Sequence, residues 1–229
     1  RQGFDDNLRN RSGGRQMILP GIGGLALPNS GFVGYSTIYD SGSTSTSTIS
    51  IPAGASGVVI ENIGKGGAGY SNSGVEAQGG GGGAYSLKTL ASLAGYTGIY
   101  IDLSGADAVA KQNSSGGTTV CLAKAGANGV AGTPGQGGQA ASGVGDTKYS
   151  GGNGYGEALP FPKAYGGGAA GPSGNGGSAS AGGAGTSGGS PGGAGGGIGA
   201  NGNDYGGGAG SSNSGGMTGG KSYIKLTWS

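Results

Sequence analysis

Glycine fills 65 of the 229 positions, and across Gly126, Gly129, Gly132, Gly135 and Gly138 it returns every third residue. The same spacing reappears at Gly168, Gly171, Gly174 and Gly177, and again at Gly189, Gly192 and Gly195. A period of three matches neither the roughly 3.6 residues of an α-helical turn nor the 2 of a strand. It is the repeat of the extended left-handed helix, which rises about 3.1 Å per residue and makes no internal hydrogen bonds. Glycine on every third position gives such a rod a face on which a second backbone can lie. Rods stacked this way donate N–H groups to one another's carbonyls, as buried backbone requires. Fixing a residue's backbone costs roughly 1 to 2 kcal/mol, and glycine loses the most freedom. The pattern therefore implies many short rods packed together. Collagen is the obvious rival, but it needs an unbroken triplet register and abundant proline. This chain has 8 prolines and drops the register at Ser180 and Thr186.

Hydrophobic residues make up 33% of the chain, and Leu, Ile, Val and Phe thin out after residue 125. The first half can bury a side-chain core; the second cannot. Two readings of 126–220 follow, disordered low-complexity filler or ordered rods. The alternating segment Ile224-Lys-Leu-Thr-Trp228 beyond that tract reads as a strand that must rejoin a sheet, which favours a folded excursion. Three segments result: an extended arm and connector over 1–42, a β-sheet domain over 43–125 plus 221–229, and a rod region over 126–220.

Strands are expected at 44–51, 58–63, 84–90, 99–103, 118–125 and 223–228, where β-branched and alternating residues suit a pleated surface. Pro52–Gly57 and Ala94–Gly98 read as turns. The expected fold is mainly β, a small antiparallel sandwich or barrel with inserted polyglycine-II-like rods and almost no α-helix. The connector around 17–39 carries Pro20 and Pro28, which break helices, and reads as an extended cover over an apolar surface.

Charge and composition remove several function classes. There is no histidine and one cysteine, Cys121, so no internal disulfide and no Cys/His metal site are expected. Cys121 sits in an apolar strand and reads as a small core residue. No apolar run reaches 18 residues, so no membrane-spanning helix is expected. All four arginines, Arg1, Arg9, Arg11 and Arg15, lie in the first fifteen residues and read as an arm that docks on a neighbouring subunit. Nucleic-acid binding would need a larger basic excess than the net charge of +2 and stacking aromatics. The opening at Arg1 rather than methionine is read as a processed or trimmed end. Carboxylates are scattered singly apart from Asp5 and Asp6, no Gly-x-Gly-x-x-Gly lies between a strand and a helix, and Asn201–Asp204 lacks the rest of a calcium loop. No enzyme activity and no cofactor are expected.

The order Ile51-Pro-Ala-Gly54, Val58-Val-Ile60, Gly64-Lys-Gly-Gly67, Gly79 to Gly83 running into Ala84-Tyr85-Ser86, long glycine tracts and a closing Tyr223-Ile-Lys-Leu-Thr-Trp228 resembles the glycine-rich domain of bacteriophage tail-fibre and other virion surface proteins. The resemblance covers about residues 43–229. It departs from the common form at Glu61–Gly64, where many members carry a tryptophan. It implies a virion surface protein, made in the host cytoplasm and often trimeric, that contacts other virion proteins and takes part in host attachment. A related resemblance is to phage adhesins whose tips are bundles of polyglycine rods with variable loops. It implies that Tyr149, Tyr155, Phe161, Tyr165 and Tyr205, the aromatics interrupting the glycine tracts, contact a bacterial polysaccharide or outer-membrane protein; flat rings with a polar tip suit sugar faces. The same rings read equally as caps on the rod bundle or fillers of subunit contacts. Two further functions stay open: a capsid decoration protein without receptor binding, and an ice-binding slab of triplet helices.

Overall fold

The computed structural model describes residues 32–72, 75–158, 163–212 and 215–229. Among them are β1 (Ser36–Asp40), β2 (Thr46–Ser50), β3 (Val58–Ile63), β4 (Tyr70–Asn72), β5 (Glu76–Gln78), β6 (Tyr85–Leu90), β7 (Gly98–Asp102) and β8 (Ala108–Gln112). There follow β9 (Thr119–Ala123), β10 (Thr147–Tyr149), β11 (Tyr155–Ala158), β12 (Ala164–Tyr165), β13 (Ser211–Ser212), β14 (Gly215–Gly216) and β15 (Tyr223–Trp228). Every paired strand is antiparallel. The fold is mainly β, as the sequence implies, and among the described residues the one helical element is a 3-10 turn at Ala140–Ser142.

Two sheets form a sandwich. The first runs β1-β15-β3-β6-β10 and the second β2-β7-β8-β9. Alternation puts Val58, Ile60, Ile224, Leu226 and Trp228 of the first against Ile99, Ile101, Ala108, Ala110 and Cys121 of the second. Facing side chains of this kind make the core of two packed sheets. Fully burying one aliphatic side chain contributes about 1.5 to 3 kcal/mol, so this cluster anchors the rest. Asn62 is also buried here, donating Nδ2 to the carbonyls of Ala108 at 3.0 Å and Cys121 at 3.2 Å. The strand β1 falls inside the segment read as a connector; it pairs with β15 from Ser36↔Thr227 to Asp40↔Tyr223.

The glycine tracts are rods, and their hydrogen bonds repeat every third residue. Along 79–84, successive N–H groups donate to Tyr155, Ala209, Ala127, Gly152, Gly206 and Lys124. Residues 79 and 82 thus face one neighbour, 80 and 83 a second, 81 and 84 a third. The carbonyls of the same six residues accept, in order, from Gly135, Gly167, Gly67, Gly138, Ala170 and Gly64. Those are three further neighbours, so the rod 79–84 is ringed by six: 64–69, 124–129, 135–138, 151–155, 166–171 and 206–210. All its backbone groups are paired, which is what burial without side chains requires. A Cβ added at Gly79, Gly80, Gly81, Gly82 or Gly83 would lie 2.0, 2.1, 2.0, 2.0 or 1.9 Å from a neighbouring backbone oxygen. Only glycine fits there.

The triplet run from Gly126 to Gly138 is not one rod. Val130 and Thr133 bridge in a turn with Gly132 at φ +73°, so 124–129 and 135–138 run antiparallel. A turn of the same span at Gly171↔Gly174 likewise splits the run from Gly168 to Gly177. The rods are therefore short because the chain reverses while the triplet continues.

A distal face with apolar turns

The rod 64–69 leaves the sandwich from β3, and 79–84 returns to it in β6. The β4–β5 hairpin between them therefore marks the end of the bundle remote from the sandwich. There a third sheet runs β14-β13-β12-β11-β5-β4. It curls until Gly69 N–H reaches the Met217 carbonyl at 2.9 Å, which nearly closes it. The rods run up and down between the two ends, so the turns Val130–Thr133, Ser180–Gly183 and 197–200 lie at the same end.

Tyr155 and Tyr165 stand opposite each other on β11 and β12 at this distal end, with ring centroids 6.5 Å apart. The Tyr155 hydroxyl donates to Glu157 Oε1 at 2.6 Å. That hydrogen bond to the carboxylate is the first cause holding the phenol above its ordinary pKa, and burial adds to it. Phe161 falls in the β11–β12 connection, outside the described residues.

Tyr149 and Tyr205 are at the opposite end. Tyr149 stacks on Tyr85 with centroids 6.2 Å apart, and Tyr205 packs on Tyr223 at 4.8 Å. Both line the cluster of Ile63, Tyr85, Ala169, Ala170 and Tyr223, where the rods rest on the outer face of the first sheet. The structure thus brings together two of the five aromatics named from the sequence and places two others in the seam between sheet and rods. Arg1, Arg9, Arg11 and Arg15 lie outside the described residues.

The distal turns also carry side chains that the sequence did not single out. Val75, Val130 and Ile198 are 50%, 54% and 46% exposed, and each sits on a different turn at this end. Valine and isoleucine read as core in any linear scan, so no sequence signal marked them. Glu76 beside them is tied down, its Oε1 accepting from Gly132 N–H at 3.0 Å. The distal end thus carries Val75, Val130 and Ile198 on separate turns and the Tyr155–Tyr165 pair on its sheet. It suits contact with a partner surface. Among the described residues no three His, Cys, Asp or Glu side chains gather as a metal site would need, and no helix is long and apolar enough to cross a membrane. No protein-family model matches the chain, and no curated protein matches it in sequence.

Proposed function

We propose that this chain is a bacteriophage virion surface protein, a fibre module whose rods carry a distal face to the host cell. One observation carries the proposal. The hexagonal rod bundle fixes loops at one end and merges with a packed sandwich at the other, and Val75, Val130 and Ile198 stand half-exposed on those loops. Such a bundle has few side chains to reshape, so loops can vary while the backbone lattice stays constant. Binding residues on loops held by a rigid scaffold are a common division of labour. In this proposal the distal turns contact a bacterial polysaccharide or outer-membrane protein, the arginine-bearing arm docks on other virion proteins, and the module assembles as a homotrimer. No catalysis, cofactor or nucleic acid enters it.

Adsorption separates this function from that of a decoration protein. Particles carrying Tyr155→Ala, Phe161→Ala and Tyr165→Ala together should bind host cells weakly while incorporating the protein normally. Unchanged adsorption would leave a coat role instead. Deleting residues 1–15 should abolish incorporation; normal incorporation would remove the docking arm.

A further inference from the structure

The chain contains four Asn-Gly sequences, at Asn128, Asn153, Asn175 and Asn201, and all four do the same thing. Asn128 Oδ1 accepts from Ala68 N–H at 2.8 Å, and the next residue, Gly129, donates its N–H to the Ala68 carbonyl at 2.9 Å. Asn175 and Gly176 grip Ser150 in the same two ways, both at 2.9 Å. Asn201 and Gly202 grip Thr218, both at 3.0 Å. Asn153 takes the Gly137 N–H at 2.9 Å, and Gly154 donates to Gly135 at 2.8 Å on the same rod. Each pair is a clasp that joins its rod to a neighbour and satisfies an N–H to which no backbone carbonyl is offered.

Asn-Gly is also the dipeptide most prone to cyclise, because glycine has no Cβ to keep its nitrogen from the preceding carboxamide. In that reaction the glycine nitrogen bonds to the asparagine Cγ, the Cγ–Nδ2 bond breaks, and ammonia leaves with the amide proton. Water then opens the succinimide at one carbonyl or the other, giving aspartate or isoaspartate. We infer that these four asparagines are latent deamidation sites that the rod lattice holds shut. The clasp occupies both reacting groups at once: the glycine N–H is donated to the neighbouring rod, and the carboxamide is held by an N–H of that rod. Cyclisation requires the glycine N–H to leave its acceptor and the carboxamide to swing from its anchored position until Cγ reaches the glycine nitrogen. Isoaspartate would carry the main chain through Cβ, adding one backbone atom and shifting the three-residue register of everything beyond it. A chain converted to isoaspartate therefore does not re-form its lattice, and the clasps bear on how long an assembled protein survives.

The test is peptide mapping by mass spectrometry of the full-length chain held at mildly alkaline pH, scoring exchange of the amide NH2 for OH at each of the four sites. The references are the same chain unfolded in urea and a synthetic peptide spanning 125–133. In the native chain every site should convert at least about tenfold more slowly than in the urea-unfolded chain, and Asn128 at least about tenfold more slowly than in the peptide, because reaction waits on local opening. Conversion less than about tenfold slower at the four sites overturns the inference. A second variant tests locality: Thr218→Pro keeps the extended conformation but removes the N–H held by Asn201. Conversion should rise at Asn201 and stay unchanged at the other three; no rise at Asn201 overturns the clasp.

Discussion

The hydroxyl of Tyr85 donates to Glu61 Oε1 at 2.9 Å where the rods meet the sheet, and Lys225 Nζ holds the other oxygen of that carboxylate at 2.9 Å. Tyr85 is fully buried. Burial first, then the Glu61 charge, push its phenol far above the ordinary range, and burial does the same to Tyr223. An unfolded tyrosine ionises near pH 10, whereas these two hold their protons beyond it. The unfolded chain therefore gives up protons first, so their contribution is complete below about pH 10 and lost as pH rises further. Stability should fall steeply on the alkaline side, and Tyr85→Phe should flatten that fall. At neutral pH the same variant should lose about 1.5 kcal/mol, the worth of a hydrogen bond to a charged group. Urea denaturation across the alkaline range reads both.

Gly81→Ala should destabilise the fold by about 3 kcal/mol or more, since the new Cβ would meet the Gln136 carbonyl oxygen at 2.0 Å and backbone on every side leaves nothing to yield. Gly105→Ala meets nothing within 4 Å and should change stability by less than about 0.5 kcal/mol. Equal effects in denaturant melts would contradict the lattice.

Much of this was legible in the linear sequence. The closing strand and β3, β6, β7 and β9 stand where alternation puts them, and the triplet beat marks rods. Which rod lies beside which was not legible, because period three says that a rod has neighbours and not who they are. Tyr149 and Tyr155 illustrate the consequence. Both interrupt glycine tracts six residues apart, yet one rod lies between them and they sit at opposite ends of the bundle. The strand β8 escaped notice because Ala108-Val-Ala-Lys-Gln112 has little β-branched character, and the two-residue strands of the distal sheet are too short to show any alternation.

Asn62→Ala should cost about 2 kcal/mol, because its carboxamide is a polar link between the two sheets and its loss leaves part of two buried carbonyls unserved. Asn62→Asp should cost more at neutral pH, where it buries a carboxylate facing two carbonyl oxygens, and should recover as acid protonates it. Thermal melts at two pH values distinguish these variants.

Val130→Asp and Ile198→Asp replace half-exposed apolar side chains at the distal turns. Each should leave the melting curve within about 0.5 kcal/mol of the parent while lowering host adsorption. Adsorption that is unaffected, alone and combined, would remove these turns from the contact face.

Amide hydrogen exchange along Gly79–Ala84 tests the rod lattice most directly. These six N–H groups each donate to a different residue on surrounding rods at 2.7 to 3.0 Å, so they should be among the slowest to exchange in the molecule, as slow as Ile60 and Ile224 in the sandwich. Exchange at the rate of an unstructured glycine tract, while the sandwich amides stay protected, would contradict the account.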